Sequence, residues 1–213
     1  GCRNDGGTNI AKRHRTVLLL RNLHRLRSTH GDSDLLFRSH KRLSNTTMNN
    51  NITNLLILSH EKEYKYVKEL LVHFASNLPA DVRIFSMIDI AAADERIKVL
   101  CSELIQAHVA IAVISSSFLA DDLLYKLRQD AITMHDADIL EAVQVLARSV
   151  VTTETKAKRA IKTIPSTPLA TQTDRDFAYS QIVDFVIDKI DIIRLKYALL
   201  LANEKINELK KNR

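Results

Sequence analysis

Glycine is scarce in this sequence and absent from most of it. The chain of 213 residues contains four glycines, and all of them precede position 32. Phosphate-binding P-loops and G-x-G-x-x-G turns need residues without a Cβ next to the phosphate, so both are excluded for the remaining chain. The sharp turn that presents the nucleophile of a serine hydrolase needs glycine as well, which argues against that class of enzyme.

Aromatic and sulfur-containing side chains are also few. Aromatic residues make up 5% of the chain and tryptophan is absent, which argues against nucleic-acid binding by base stacking. Cys2 and Cys101 are the only cysteines, so neither a disulfide framework nor a cysteine-based metal cluster is expected. The histidines show no spacing typical of metal ligands. We therefore predict no metal site and a reducing, cytoplasmic setting.

Positive charge is concentrated at the start of the chain. Residues 1–47 contain ten Lys/Arg against three Asp, whereas the remainder contains 21 Lys/Arg against 22 Asp/Glu. We interpret residues 1–47 as a disordered basic extension, or as sequence upstream of a start at Met48; a basic arm for nucleic acid or anionic lipid is the alternative. The near-neutral remainder predicts no nucleic-acid partner for the folded part. No apolar run is long enough for a membrane span.

Short apolar runs alternate with amphipathic segments along the rest of the chain. The run Val109–Ile114 is rich in β-branched residues, which is typical of a strand buried on both faces of a parallel sheet. Comparable runs lie at 55–58, 82–85 and 142–151. Helical periodicity covers 61–75, 94–107, 118–135 and 176–209. This alternation predicts an α/β fold with a doubly wound parallel sheet of about five strands.

Five pieces of sequence, in order, carry a resemblance to a known family. They are Ile57-Leu58-Ser59-His60, Asp89-Ile90, the segment 107–120, the segments 131–135 and 143–148, and Asp174 to Tyr179 with Ile182-Val183. Together they resemble a bacterial-type TIR (Toll/interleukin-1 receptor) domain, which has a flavodoxin-like fold. We therefore expect a TIR-like domain at residues 48–190 and a C-terminal helical extension at residues 191–213.

The resemblance implies a comparison with enzymes that cleave NAD, because many TIR domains do so. Those enzymes place a Glu in the helix after the third strand, where negative charge stabilises the oxocarbenium-like ribose. The matching position here is Arg128 or Leu127, depending on the direction of counting, and neither side chain can act as the acid. Asp130 is close in sequence, but two residues along a helix turn it about 200° away. The family's loop glycine and neighbouring tryptophan are replaced by Ala93 and Arg96. We therefore assign no catalytic residue and keep Asp130 as the only candidate acid.

Three polar residues are predicted to lie at the ends of neighbouring strands. Ser59, Asp89 and Ser115 could line a nucleotide pocket there and bind NAD as ligand or substrate. Alternatively, Ser59 and Ser115 bond the backbone where the strands end, and Asp89 caps a turn. The residue types fit both interpretations.

The last predicted helix is longer than a five-stranded sheet requires. We expect Ile193, Tyr197 and Leu200 to be exposed on an isolated domain, and exposed apolar stripes of this spacing usually contact a partner helix. A helix folded back on its own domain is the alternative. Together with the missing Glu, this surplus predicts a non-catalytic signalling or defence domain that needs no cofactor. It would bind other TIR domains or form a homo-oligomer. An NAD glycohydrolase or a sensor of NAD or ADP-ribose is the alternative function.

Overall fold

Five parallel strands form the centre of the computed structural model, which describes residues 52–90, 93–150 and 161–211, with the backbone alone for 89 and 93–95. The strands are β1 (Thr53–Ser59), β2 (Val82–Ser86), β3 (Val109–Ile114), β4 (Glu141–Leu146) and β5 (Thr163–Ile164). Their order in the sheet is β2-β1-β3-β4-β5, and every pair of neighbours is parallel. This is the flavodoxin-like order, so the predicted fold class is confirmed. The prediction of a disordered extension at residues 1–47 lies outside the described residues.

Helices connect the strands and cover both faces of the sheet. They are α1 (Tyr64–Asn77), α2 (Ala93–Gln106), α3 (Ser116–Ala120), α4 (Asp122–Asp136) and α5 (Arg175–Lys211). The single helix predicted at 118–135 is wrong, because Asp121 is extended (φ −85°, ψ 111°) and separates α3 from α4. The carboxylate of Asp121 accepts a hydrogen bond from the backbone N–H of Leu124 at 3.0 Å, which caps the new helix.

The strand residues alternate between two cores. Leu56, Leu58, Ala110, Ala112 and Ile114 point to the side of α2 and α4, where they join Leu100, Leu104, Leu124 and Leu127 in one buried cluster. Their neighbours in sequence point to the opposite side, which α1 and α5 cover. Both faces of β1 and β3 are therefore buried, as the unbroken apolar runs predict.

The end of α4 shows how the chain manages without glycine. Asp138 adopts the left-handed conformation (φ 59°) that follows many helices and that glycine usually occupies. Aspartate tolerates this region better than most residues, because its short side chain forms local or nearby hydrogen bonds. Here the carboxylate of Asp138 accepts a hydrogen bond from Lys196 Nζ at 2.8 Å, so the turn also binds α5.

Charged side chains fix α5 at the amino edge of the sheet, the edge where the parallel strands begin. The carboxylate of Glu141 at the start of β4 is 3% exposed, and it lies 3.3 Å from Lys189 Nζ and 3.5 Å from Lys196 Nζ. Arg194 forms an ion pair with Asp81 at 2.6 Å, just before β2. Three cations of α5 thus hold the helix to the turns before two different strands.

Beyond this edge α5 continues without covering the sheet. Ile190 and Ile193 are its last buried residues, and every residue from Ala198 to Lys211 is exposed. The expectation that Ile193 is exposed is wrong, because Ile193 packs on the domain at 6% exposure. Tyr197 is half-buried, with its ring edge-on to His108 at 6.1 Å, whereas Leu200 is exposed as expected. Among the described residues no helix combines the length and the apolar character that crossing a membrane requires.

Candidate functional site

The three predicted site residues lie at the carboxyl edge of the sheet, the edge where the parallel strands end. Ser59 ends β1 and Ser115 directly follows β3, and the two strands are neighbours in the sheet. Because Ser59 pairs with Val113, Ser115 lies two residues further along its strand. Asp89 ends the short turn Met87–Asp89 after β2, on the other side of β1, but its side chain lies outside the described residues. Their role in binding a nucleotide stays a prediction.

The two serines differ in how their hydroxyl groups are used. Ser115 Oγ accepts a hydrogen bond from the backbone N–H of Phe118 at 3.1 Å and so caps α3. This contact is of the kind expected in the alternative interpretation, in which Ser115 bonds the backbone where its strand ends. Ser59 Oγ is fully buried and has no hydrogen-bond partner in the described part of the chain. A buried hydroxyl without a partner costs free energy, so Ser59 is the more informative of the two.

An ion pair to which the sequence analysis assigned no role crosses this edge. Glu63 lies in the turn after β1, Arg148 follows β4, and Arg148 Nε donates a hydrogen bond to Glu63 Oε2 at 3.0 Å. The Glu63 side chain is 1% exposed, whereas that of Arg148 is 50% exposed. Since β3 lies between β1 and β4, the pair spans the end of the strand that carries Ser115. Contact with the Glu63 carboxylate raises the pKa of the Arg148 guanidinium.

Glu63 was hard to find from sequence because it stands in the run Glu61-Lys62-Glu63, which resembles a solvated helix start. Arg148 offered a weak signal, since it comes directly after a predicted buried strand. The two residues are 85 positions apart, so no local pattern joins them. The sequence predicts no acid at the helix position that the resemblance points to. The structure adds an acid from a different element.

A second polar contact at this edge involves Arg96, the residue at the position where the resembled family carries tryptophan. Arg96 Nη2 lies 3.4 Å from the hydroxyl of Tyr64 and donates to it. That hydroxyl donates in turn to the carbonyl of Met87 at 3.4 Å. The contact connects the first turns of α1 and α2 across the end of β2.

The helix position that the resemblance assigns to the acid is part of the core. Leu127 is 1% exposed and Arg128 is 6% exposed, and Arg128 Nε has no hydrogen-bond partner among the described residues. Burial lowers the pKa of the Arg128 guanidinium. Asp130 is half-buried about eight residues past Asp122, so it lies roughly 12 Å along the α4 axis from the start of that helix. Its charge acts on Cys101 of α2, whose pKa is raised by burial and further by Asp130.

Other clusters of charged residues are held by internal ion pairs. A cleft of about 680 Å³ lies between α1 and the start of α5. In it Arg175 Nε is 3.3 Å from Glu69, and His73 Nε2 is 3.3 Å from Asp176. Within residues 52–211, as far as they are described, no three His, Cys, Asp or Glu side chains converge in a way that fits a metal ion.

The fold and this edge define a class: a flavodoxin-like α/β domain with a polar carboxyl edge. No family model matches the chain, and no curated protein matches it significantly. Among solved structures, the chain is similar to the TIR domain of the Toll-related receptor TRR-2 from Hydra magnipapillata. The TM-score is 0.46 with 12% sequence identity, over 63% of this chain and 96% of that one. At this identity the similarity concerns the fold alone.

Proposed function

We propose that this chain is a TIR-like assembly domain that works by protein–protein contact and does not cleave NAD. The proposal rests on the sequence motifs, on the strand order of the sheet, and above all on the projecting end of α5. Leu199 and Leu209 there are 63% and 69% exposed, and Leu195 just before it is 73% exposed. Full burial of a leucine side chain contributes about 1.5–3 kcal/mol, so a surface with several of them strongly favours a partner.

The site residues support the non-catalytic part of the proposal. Leu127 and Arg128 occupy the helix position where NAD-cleaving relatives in the resembled family carry Glu, and both are buried in this domain. A positive charge at that position would oppose the cation that develops on the ribose as nicotinamide leaves. The only acid near this position in sequence, Asp130, acts on Cys101 and α2.

Light scattering on the full chain tests the assembly proposal. The chain has a mass of 24.1 kDa, so a dimer or larger species has at least twice that mass. We expect the weight-average mass to rise with protein concentration in the micromolar range. A mass that stays at the monomer value up to about 100 μM, an affinity weaker than about −5.5 kcal/mol, would reject self-association.

The alternative function is NAD cleavage or NAD sensing, and one observation favours it. The carboxylate of Glu63 lies at the carboxyl edge, where flavodoxin-like folds bind their ligands, and negative charge there could stabilise an oxocarbenium-like ribose. In this structure, however, Arg148 Nε lies 3.0 Å from Glu63 Oε2, so the guanidinium neutralises that charge.

Incubation of the full chain with NAD, followed by chromatography for nicotinamide, separates the two functions. We expect no nicotinamide from the wild-type chain. If nicotinamide forms and Glu63→Gln abolishes it, the chain is an enzyme with an acid from the first loop. If Asp130→Ala abolishes it instead, α4 supplies the acid. Thermal stabilisation by NAD or ADP-ribose without product would indicate a sensor.

A further inference from the structure

Apart from Leu200 and Leu201, the large exposed apolar residues near the end of α5 fall, together with Ala202, on one narrow line, which we call the seam. Their spacing alternates between three and four residues without interruption, which is the heptad spacing of a coiled coil. The seam consists of Ile192, Leu195, Leu199, Ala202, Ile206 and Leu209. All six are exposed, and the five large ones have exposures between 42% and 73%.

The seam faces away from the domain that carries it. On the opposite side of the same helix, Ile190 and Ile193 are buried against the sheet and Tyr197 is half-buried. At about 100° per residue, the mean direction of the seam is roughly 180° away from that of these three residues. The domain therefore leaves the seam open, even at Ile192 and Leu195, which lie beside the sheet. Over its length of about 26 Å another helix can approach.

We propose that the seam pairs with the seam of a second copy of this chain in a parallel, two-stranded coiled coil. This inference rests on the proposed function and gives it a partner and a geometry. β-Branched Ile at the first apolar position of the heptad and Leu at the second favour two parallel strands. Ile192 and Ile206 occupy the first position, and Leu195 and Leu209 occupy the second. The middle heptad departs from this pattern, with Leu199 at the first position and Ala202 at the second.

The charges beside the seam are compatible with this pairing. A parallel pair places Asp191 of one copy opposite Lys196 of the other, which is attractive, although within each copy Asp191 also lies 3.7 Å from Arg194 and Lys196 lies 2.8 Å from Asp138. It also places Lys205 opposite Lys210, which is repulsive but lies at the exposed end, where salt screens the charges. In this arrangement Ala202 of one chain faces Ala202 of the other. Because both side chains are small, the two backbones can approach closely at the middle of the seam.

Two leucines of α5 provide a matched pair of variants. Leu199→Glu places a charge within the seam of each copy, whereas Leu201→Glu places the same charge at another exposed leucine outside the seam (47% exposed, against 63% for Leu199). Glutamate is a good helix former, so both variants keep the helix, which circular dichroism verifies. We expect Leu199→Glu to weaken dimer formation by at least about 100-fold in light scattering, and Leu201→Glu by less than about three-fold.

Disulfide crosslinking of the full chain then tests whether the two helices pair in parallel. Ala202→Cys should crosslink to itself under mild oxidation, whereas Glu204→Cys, which points away from the seam, and the chain with its native cysteines alone should not. If the wild-type chain associates but Leu199→Glu associates equally well, this inference fails and the proposed function stands. Crosslinking only between Leu199→Cys and Ala202→Cys chains would show an antiparallel pair and overturn the parallel geometry. A wild-type chain that is monomeric throughout would remove both the inference and the proposed self-association.

Discussion

Two lysines of α5 contact the buried carboxylate of Glu141. We predict that replacing either lysine lowers the stability of the domain, by different amounts. Lys189 Nζ lies 3.3 Å from Glu141 and its side chain is 24% exposed, whereas Lys196 Nζ lies 3.5 Å away with its side chain 43% exposed. Replacing either lysine with methionine keeps the apolar stem and removes the charge. The Glu141 carboxylate is 3% exposed, so it loses part of its compensation in a site that water barely reaches.

The expected cost follows from burial. Leaving a buried charge without any partner costs about 3–5 kcal/mol. Because one lysine remains in each single variant, we expect Lys189→Met to lower the free energy of unfolding by about 1–3 kcal/mol. Lys196→Met should cost less, about 0.5–1.5 kcal/mol, since Lys196 is more exposed and shares its charge with Asp138.

Urea unfolding followed by far-UV circular dichroism measures these differences. All variants carry Leu199→Glu, so that self-association does not add to the measured stability. Lys189 also lies 5.3 Å from the centre of the Phe185 ring, and Lys162 lies 4.7 Å from the same ring. Lys162→Met is therefore the control that removes a cation from Phe185 without touching Glu141, and it should cost less than about 1 kcal/mol. If Lys189→Met costs no more than Lys162→Met, or less than Lys196→Met, Glu141 does not anchor α5 as argued.

Three further predictions concern single side chains. Arg128→Met should leave stability unchanged or raise it by up to about 2 kcal/mol in urea unfolding, because the buried Arg128 Nε has no partner in the described structure; a loss above about 1 kcal/mol would contradict this. Tyr179→Phe should cost about 1 kcal/mol at pH 7, because the Tyr179 hydroxyl donates to Glu69 at 2.8 Å. Burial raises the pKa of Tyr179. The contribution of its hydroxyl to the free energy of unfolding is therefore complete below the ordinary tyrosine pKa of about 10 and is lost only as the pH rises through the pKa of the folded state. A stability difference between wild type and Tyr179→Phe that already disappears near pH 8 would contradict this. Asp130→Asn should speed alkylation of Cys101 at pH 7.5 by about two- to five-fold, because Asp130 raises the pKa of that thiol. Lys126→Met should slow it, and both rates are measured with Cys2 replaced by serine. No change in either variant would show that Asp130 does not face α2.

Much of the site depends on where the strands end, and that could be predicted. Ser59 and Ser115 lie at the edge where the periodicity placed them, because a buried parallel strand is recorded in a local run of apolar residues. The break at Asp121 was missed for a local reason as well. Helical periodicity continues through it, and only the capping preference of aspartate marks the boundary.

The sequence by itself determined four of the five strands, most of the helices and the surplus length of α5, since each of these is visible in the spacing of neighbouring residues. Only the tertiary structure decided that Glu63 and Arg148 meet across the end of β3, because partners 85 residues apart are joined by strand order. It also decided which side of α5 is open. The apolar residues from Ile190 to Leu209 fit two stripes of helical spacing. Docking against the amino edge, through Glu141 and Asp81, buries Ile193 in one stripe and leaves the other to solvent.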